Sequence, residues 1–224
     1  MSQLSTPRRS FPPAPERAHT LLLTAHPLQD GFNTALGLAW AHGAAAAGVQ
    51  VDVIDVHALD FETRLRSAYR EDQPLEPDLV RVRDAIAQAA HVTIATPIWW
   101  SSVPAALKGL FDRVLLPGWA YRYENGLPVG GLTGRSARLL VTMDAPVWYD
   151  TLVNHRAGRH QVARGVLRFC GFGPVRTRTF GAVGQSTEAQ RAAMLLRAET
   201  DGRVDGERLV RRLGAVPALP ASAG

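Results

Sequence analysis

Apolar and polar positions along the chain follow two periods, and the switches between them mark out elements. Residues 19–26, HTLLLTAH, form an unbroken apolar run of strand length, as expected of a strand covered on both faces. Residues 32–48 are Ala-rich with helical spacing and end at Gly48, a helix stop. Residues 49–56, VQVDVIDV, alternate and are β-branched, which predicts a strand with one partly wet face. A long polar loop over 57–76 precedes a helix over 77–90 with Pro77 in its first turn. Residues 91–97 read as a third buried strand. The helix over 103–116 carries apolar residues at 103, 106, 107, 110, 111, 114 and 115, a complete i, i+3, i+4, i+7 stripe with Pro104 in the first turn. Then come a strand over 137–143, a helix over 159–171 with a glycine stop, a strand over 174–183, and a helix over 187–213 interrupted at Gly202. Five strands separated by helices predict an α/β doubly wound sheet. The pattern assigns one domain to 18–214, with flexible tails over 1–17 and 215–224.

Composition narrows the class. With 46% hydrophobic residues the chain can bury a core, and no apolar run reaches membrane-spanning length, so a soluble protein is expected. Residues 1–17 are rich in Pro, Ser and Arg and lack the apolar centre of a signal peptide. A single cysteine, Cys170, rules out an internal disulfide and fits a reducing cytoplasm. The net charge of +5 raises a nucleic-acid reading, but the arginines are scattered and interleaved with acids, as in RVRDAI and DGRVDGERLVRRL, and Lys108 is the only lysine. That pattern argues against a nucleic-acid stripe; a positive surface would still attract small phosphate-bearing molecules. No metal site is read from the sequence.

Doubly wound sheets bind ligands beyond the carboxyl ends of their strands, at the point where the strand order reverses. The loops in that position are AHPLQDGFNTAL, TPIWWSS and TMDAPVWYD, all long, polar or aromatic, and punctuated by proline. The first lacks both the G-x-G-x-x-G fingerprint and a Walker-type lysine. It nevertheless runs from a strand into a helix N-terminus, where free N–H groups and the dipole favour a phosphate. Gly31 clears the approach, Asn33 is placed to cap the helix or to bond an oxygen, and His26 faces the same loop. Trp99 and Trp100 stand at the end of the central strand, where indoles can cover a flat π-system, and Ser101 or Ser102 is placed to cap the following helix.

The segments AHPLQDGFNTAL, TPIWWSSVPAALKGLFDRVLLPGWAYRY and LRFCGFGPVRTRTFGAVGQSTEAQR together resemble the NAD(P)H:quinone oxidoreductases, the DT-diaphorase family of flavodoxin-like flavoenzymes. The resemblance covers most of residues 19–195, and its most specific part is P-x-x-W-x-x-x-P-A-x-L-K-G-x-x-D-R-V. It implies a flavodoxin-like, three-layer α/β/α fold with strand order 2-1-3-4-5, a homodimer, and FAD or FMN as cofactor. It further implies that His26, Phe32 and Asn33 hold the flavin's phosphate and ribityl portion, and that Pro97, Ile98, Trp99, Trp100 and Ser101 line the isoalloxazine. Arg191 matches an arginine that reaches the adenosine half of FAD. Tyr121 and Tyr123 match aromatics that cover the substrate pocket across the dimer.

The loop after the fourth strand departs from the family. Met143 and Asp144 join the cofactor-facing set there, but Asp144, Ala145 and Pro146 stand where well-known members carry Gly-Gly. Tyr149 and His155 keep the six-residue spacing of the family's Tyr/His pair, which stabilises negative charge at the flavin N1–O2 edge. Asp144 near a reduced flavin is unfavourable unless it turns away or caps a helix. The implied reaction is hydride transfer from NAD(P)H through the flavin to a quinone or similar small aromatic acceptor. Two other classes share the fold: a flavodoxin-type one-electron carrier, which is usually strongly acidic, and a flavin-bearing regulatory subunit of a membrane transporter.

Overall fold

The computed structural model describes residues 10–68, 71 and 73–214. Parallel strands β1 (His19–Thr24), β2 (Gln50–Asp55), β3 (His91–Pro97), β6 (Ser136–Thr142) and β7 (Val175–Phe180) form one sheet in the order β2-β1-β3-β6-β7. Counting only these five, that is the predicted order 2-1-3-4-5. Residues along β1 feed two cores alternately. Leu21 and Leu23 face helices α2 (Pro77–Gln88) and α3 (Ala105–Val114), whereas Leu22 faces α1 (Phe32–Ala46) and α6 (Glu188–Leu213). This double burial is why the strand reads as a continuous apolar run. β2 lies at the sheet edge and is the wetter strand, as its alternation predicts.

Three features depart from the sequence reading. First, Gly202 does not interrupt the last helix, which runs unbroken from Glu188 to Leu213. A Cβ at Gly202 would collide with the Trp40 carbonyl, and one at Gly43 with the Glu199 carbonyl, so these glycines let α1 and α6 cross backbone to backbone. Second, Tyr121–Glu124 (β4) and Leu127–Gly130 (β5) form an antiparallel hairpin in a stretch to which no element was assigned above. Its turn is Asn125-Gly126, both with positive φ, the preferred residues for a two-residue hairpin loop. Third, α5 (Ala157–His160) continues as a π-helical stretch over Gln161–Arg168, and a short helix α4 (Val147–Leu152) precedes it.

The expected N-terminal tail divides. Residues 1–9 and 215–224 lie outside the described residues. Residues 10–17 instead run against the domain: Pro13 O accepts from Arg135 Nη2 at 2.7 Å, and the Arg122 guanidinium stacks 4.3 Å from the centre of the Phe11 ring. The 57–76 loop is fastened by Arg113 of α3, whose buried guanidinium donates to Glu76 Oε2 and to Pro74 O, both at 2.8 Å. Among the described residues no helix is long and apolar enough to cross a membrane.

Candidate active site

The carboxyl ends of β1, β3 and β6 open into one cleft of 820 Å³, within the range of small-molecule sites. His26, Phe32, Asn33, Pro97, Ile98, Trp99, Trp100, Ser101, Met143, Asp144 and Tyr149 all line it, so the chain ends that the sequence reading singled out converge. Thr142, Ala145, Asp150, Asn154 and Val183 also line it; the first three lie in the segment TMDAPVWYD, though none of the five was assigned a cofactor contact. The usable signal was the strand ends: Thr142 closes β6, Ala145, Asp150 and Asn154 belong to the segment that follows it, and Val183 follows β7.

The cleft floor is the N-terminus of α1. Gly31 occupies the cap position with no side-chain cap, and no acidic residue stands in the first turn, so the leading N–H groups and the positive dipole end are left for a ligand. A Cβ at Gly31 would lie 2.8 Å from His26 Nδ1, so the loop closes only around glycine. His26 Nδ1 is engaged by its own loop, 3.1 Å from Leu28 N and 3.3 Å from Leu28 O, so Nε2 is the ring nitrogen left for a ligand. Asn33 is not the cap that its position suggested. Lying inside the first turn and only 3% exposed, it donates from Nδ2 to Thr142 Oγ1 across the sheet at 3.0 Å. Its Oδ1 is buried without a partner, a costly state that a ligand hydroxyl would relieve.

The wall is the turn after β3. Trp99 N donates to Ser102 O and Ser102 N to Trp99 O, both at 2.9 Å, closing a two-residue turn in which Trp100 and Ser101 have φ of 52° and 58°. Two adjacent side-chain-bearing residues in the left-handed region cost roughly 1–2 kcal/mol each. The strain turns the Trp100 indole fully into solvent at the cleft mouth, while Trp99 meets His26 edge to face at 5.9 Å. Neither Ser101 nor Ser102 caps α3; Pro104 holds the cap position, and Ser102 Oγ donates to Gln161 Oε1 at 2.9 Å.

The far side is the loop after β6. Asp144 stays on the cleft lining, and its carboxylate accepts from Gly184 N–H at 3.0 Å, which gives the charge a partner there. Asp150, 3% exposed, lies 2.6 Å from Arg159 Nη2, an ion pair whose angles do not make a directed hydrogen bond. Tyr149 lies on the cleft, but His155 does not line it. His155 and Arg156 both adopt positive φ, 49° and 60°, and this reversal carries the exposed imidazole away while leaving Asn154 on the cleft.

Besides His155, three predicted residues lie outside the cleft lining. Arg191 sits on its flank, bonding Ser186 Oγ at 3.1 Å with its guanidinium 5.7 Å from the centre of the Phe32 ring. Tyr121 and Tyr123 lie on the β4–β5 hairpin, packed edge to face with each other and with Phe169. Among the described residues no cluster of metal-ligating side chains is assembled.

Comparison with known proteins agrees with the fold. The family described as flavodoxin-like fold matches residues 18–201. An uncharacterized NAD(P)H oxidoreductase of Haemophilus influenzae is 29% identical over 180 residues, covering 78% of this chain and 89% of that protein. Rat NAD(P)H dehydrogenase (quinone) 1 is 26% identical over 200 residues, covering 78% and 73%. The structure of the NAD(P)H:quinone oxidoreductase from Methanothermobacter marburgensis superposes with a TM-score of 0.74 at 26% identity, covering 84% of this chain and 98% of that one. The chain belongs to the flavodoxin-like fold, in the NAD(P)H:quinone oxidoreductase family, and is an oxidoreductase.

Proposed function

We propose that the cleft binds a flavin, FAD or FMN, and that the protein uses it to oxidise NAD(P)H and reduce a quinone or similar small aromatic acceptor. One observation carries the reading. An uncapped helix N-terminus and a buried, unpartnered carbonyl oxygen on Asn33 face the same 820 Å³ cleft. A flavin bound there supplies two-electron chemistry, taking hydride from NAD(P)H and delivering it to the acceptor.

The chain supplies binding, orientation and electrostatics. The first-turn N–H groups of α1 and His26 Nε2 would hold the phosphate. Asn33 Oδ1 would accept from a ribityl hydroxyl, and Thr142 fixes the rotamer that presents it. Pro97, Ile98 and Trp99 would form the flat wall, Trp100 and Ser101 its rim, and Met143 an apolar contact on the far side. Tyr149 and the Asn154 amide stand where donors would meet the edge that gathers negative charge on reduction, with Asn154 taking the part expected of His155. Arg191, on the Phe32 flank, would meet the adenosine half of FAD. Tyr121 and Tyr123 lie away from their own chain's cleft lining, which suits a homodimer in which each hairpin covers the partner's substrate.

The test is oxidation of NADH and of NADPH by the flavin-loaded protein, with and without menadione. The expected result is acceptor-dependent oxidation with parallel double-reciprocal lines, because both substrates use one position over the ring. Flavin-loaded protein that oxidises neither nucleotide in the presence of acceptor would sink the proposal.

A further inference from the structure

At the opposite end of the sheet from the cleft, a second polar centre lies between the first residues of β3, β6 and β7 and the last three turns of α6. Its interior is balanced. Arg138 on β6 bonds Asp205 through Nε and Nη2, and its Nη1 lies 3.1 Å from Asp201 Oδ2. Arg178 adds a two-pronged bond to Asp201 at 2.7 and 2.8 Å. Two carboxylates are thus answered by two guanidiniums. His91 stacks on Trp40 and bonds Ser136 and Thr93; burial holds its pKa down to about 4, so it adds no charge near neutrality.

Outside this balanced core lies a cavity of 180 Å³ with a surplus of cation. Arg176 from β7 and Arg208 and Arg212 from α6 line it, and Asp205 is the one carboxylate lining it among the described residues. Arg208 reaches Asp205 Oδ1 only at 3.5 Å, and that oxygen already accepts from Arg138. Arg212 makes a long 3.4 Å bond to Ala90 O. Among the described residues the Arg176 guanidinium makes no hydrogen bond or ion pair; burial, and then Arg208 beside it, hold its pKa below the usual guanidinium range, against a weaker pull from Asp205. Arg208 and Arg212 are four residues apart on one helix face, a spacing at which like charges destabilise. Three arginines lining one concavity, one of them without a hydrogen-bonded partner among the described residues, form an arrangement that a bound anion would relieve.

We propose that Arg176, Arg208 and Arg212 form a site for a phosphate group, separate from the catalytic cleft, with the Ser136 hydroxyl at its floor. Guanidinium forks match phosphate oxygens, and a phosphate dianion answers more of the surplus positive charge than a monovalent carboxylate would. The cavity is large enough for the group and a few waters, at about 30 Å³ per water, and too small for a nucleoside beside it. A larger ligand would therefore project outward, past Arg208 and Arg212. The proposal does not depend on the flavin reading.

The test is calorimetric titration of the purified protein, saturated with flavin where it binds flavin, in phosphate-free buffer at low salt. Inorganic phosphate and glycerol 3-phosphate are the two probes. One saturable site per chain is expected, with affinity falling as salt rises. Tighter binding of the ion would assign inorganic phosphate; tighter binding of the ester would assign a phosphorylated small molecule. Arg176→Gln, shown folded by circular dichroism, is expected to weaken binding roughly tenfold through loss of a charged hydrogen bond. Arg208→Gln serves as a second variant with the same expectation. No saturable binding of either probe, unchanged affinity in both variants, or binding that releases flavin would each overturn the proposal.

Discussion

At the scale of single residues, Asn33 and His155 show how far type and spacing reach. Asn33 was visible as a polar residue at a helix start, but local pattern suggests a cap, and its actual partner, Thr142, lies 109 positions away. The distinction is measurable. Asn33→Ala is expected to lose most flavin retention at a stability cost of about 1 kcal/mol, the worth of one ordinary hydrogen bond. Thr142→Val, which frees Asn33 without removing it, should weaken retention in the same direction; retention equal to wild type in both variants would remove Asn33 from the site. His155 kept the family spacing from Tyr149, but spacing carries no information about the two left-handed residues that turn it outward. His155→Ala should therefore reduce flavin by NADH within about twofold of the wild-type rate, as an ordinary surface change does. Removing a donor with Tyr149→Phe or Asn154→Ala should slow that half-reaction by about 10²-fold. Stopped-flow bleaching of the flavin separates the outcomes. At the flank, Arg191→Ala should weaken FAD retention and leave FMN retention unchanged.

At the scale of elements, the sequence was most legible where burial is continuous and least where backbone meets backbone. β1 and β3 are buried along almost their whole length because both faces are covered, and their places were readable within two residues. Gly202 read as a helix interruption because propensity is local, whereas the reason for the glycine is the Trp40 carbonyl on another helix. Gly202→Ala should cost about 3 kcal/mol, the upper end for overpacking, because the colliding atom is backbone and cannot rotate away. Urea unfolding measures it; a variant as stable as wild type would show that the α1–α6 crossing is looser than described. The hairpin had a legible signal in Asn125-Gly126, flanked by Tyr121, Tyr123 and Val129. The turn at Trp100-Ser101 had none, because neither residue favours a positive φ. Ser101→Gly should relieve that turn and raise stability by about 1 kcal/mol.

At the scale of the whole molecule, one sheet carries two polar ends with opposite tasks. The carboxyl end is open and partly unsatisfied; the amino end holds the buried His91 among Ser136, Thr93, Trp40 and Asp205. His91 is depressed from 6.5 to about 4 in the folded state, so above pH 6.5 both states leave it neutral and its burial carries no protonation penalty. As pH falls below 6.5 the unfolded chain binds a proton that the folded chain refuses, and stability declines until about pH 4, by a few kcal/mol in all. Urea midpoints at pH 7 and pH 5 should show the decline, and His91→Gln should flatten it. The carboxyl end carries the central claim, that the cleft is built for a flavin. The most direct test is to incubate the protein with FMN or FAD, remove free flavin by gel filtration, and measure visible absorbance against protein concentration. The account predicts close to one flavin per chain in the wild type and a small fraction of that in Asn33→Ala. Colourless wild-type protein after incubation with both flavins would contradict it.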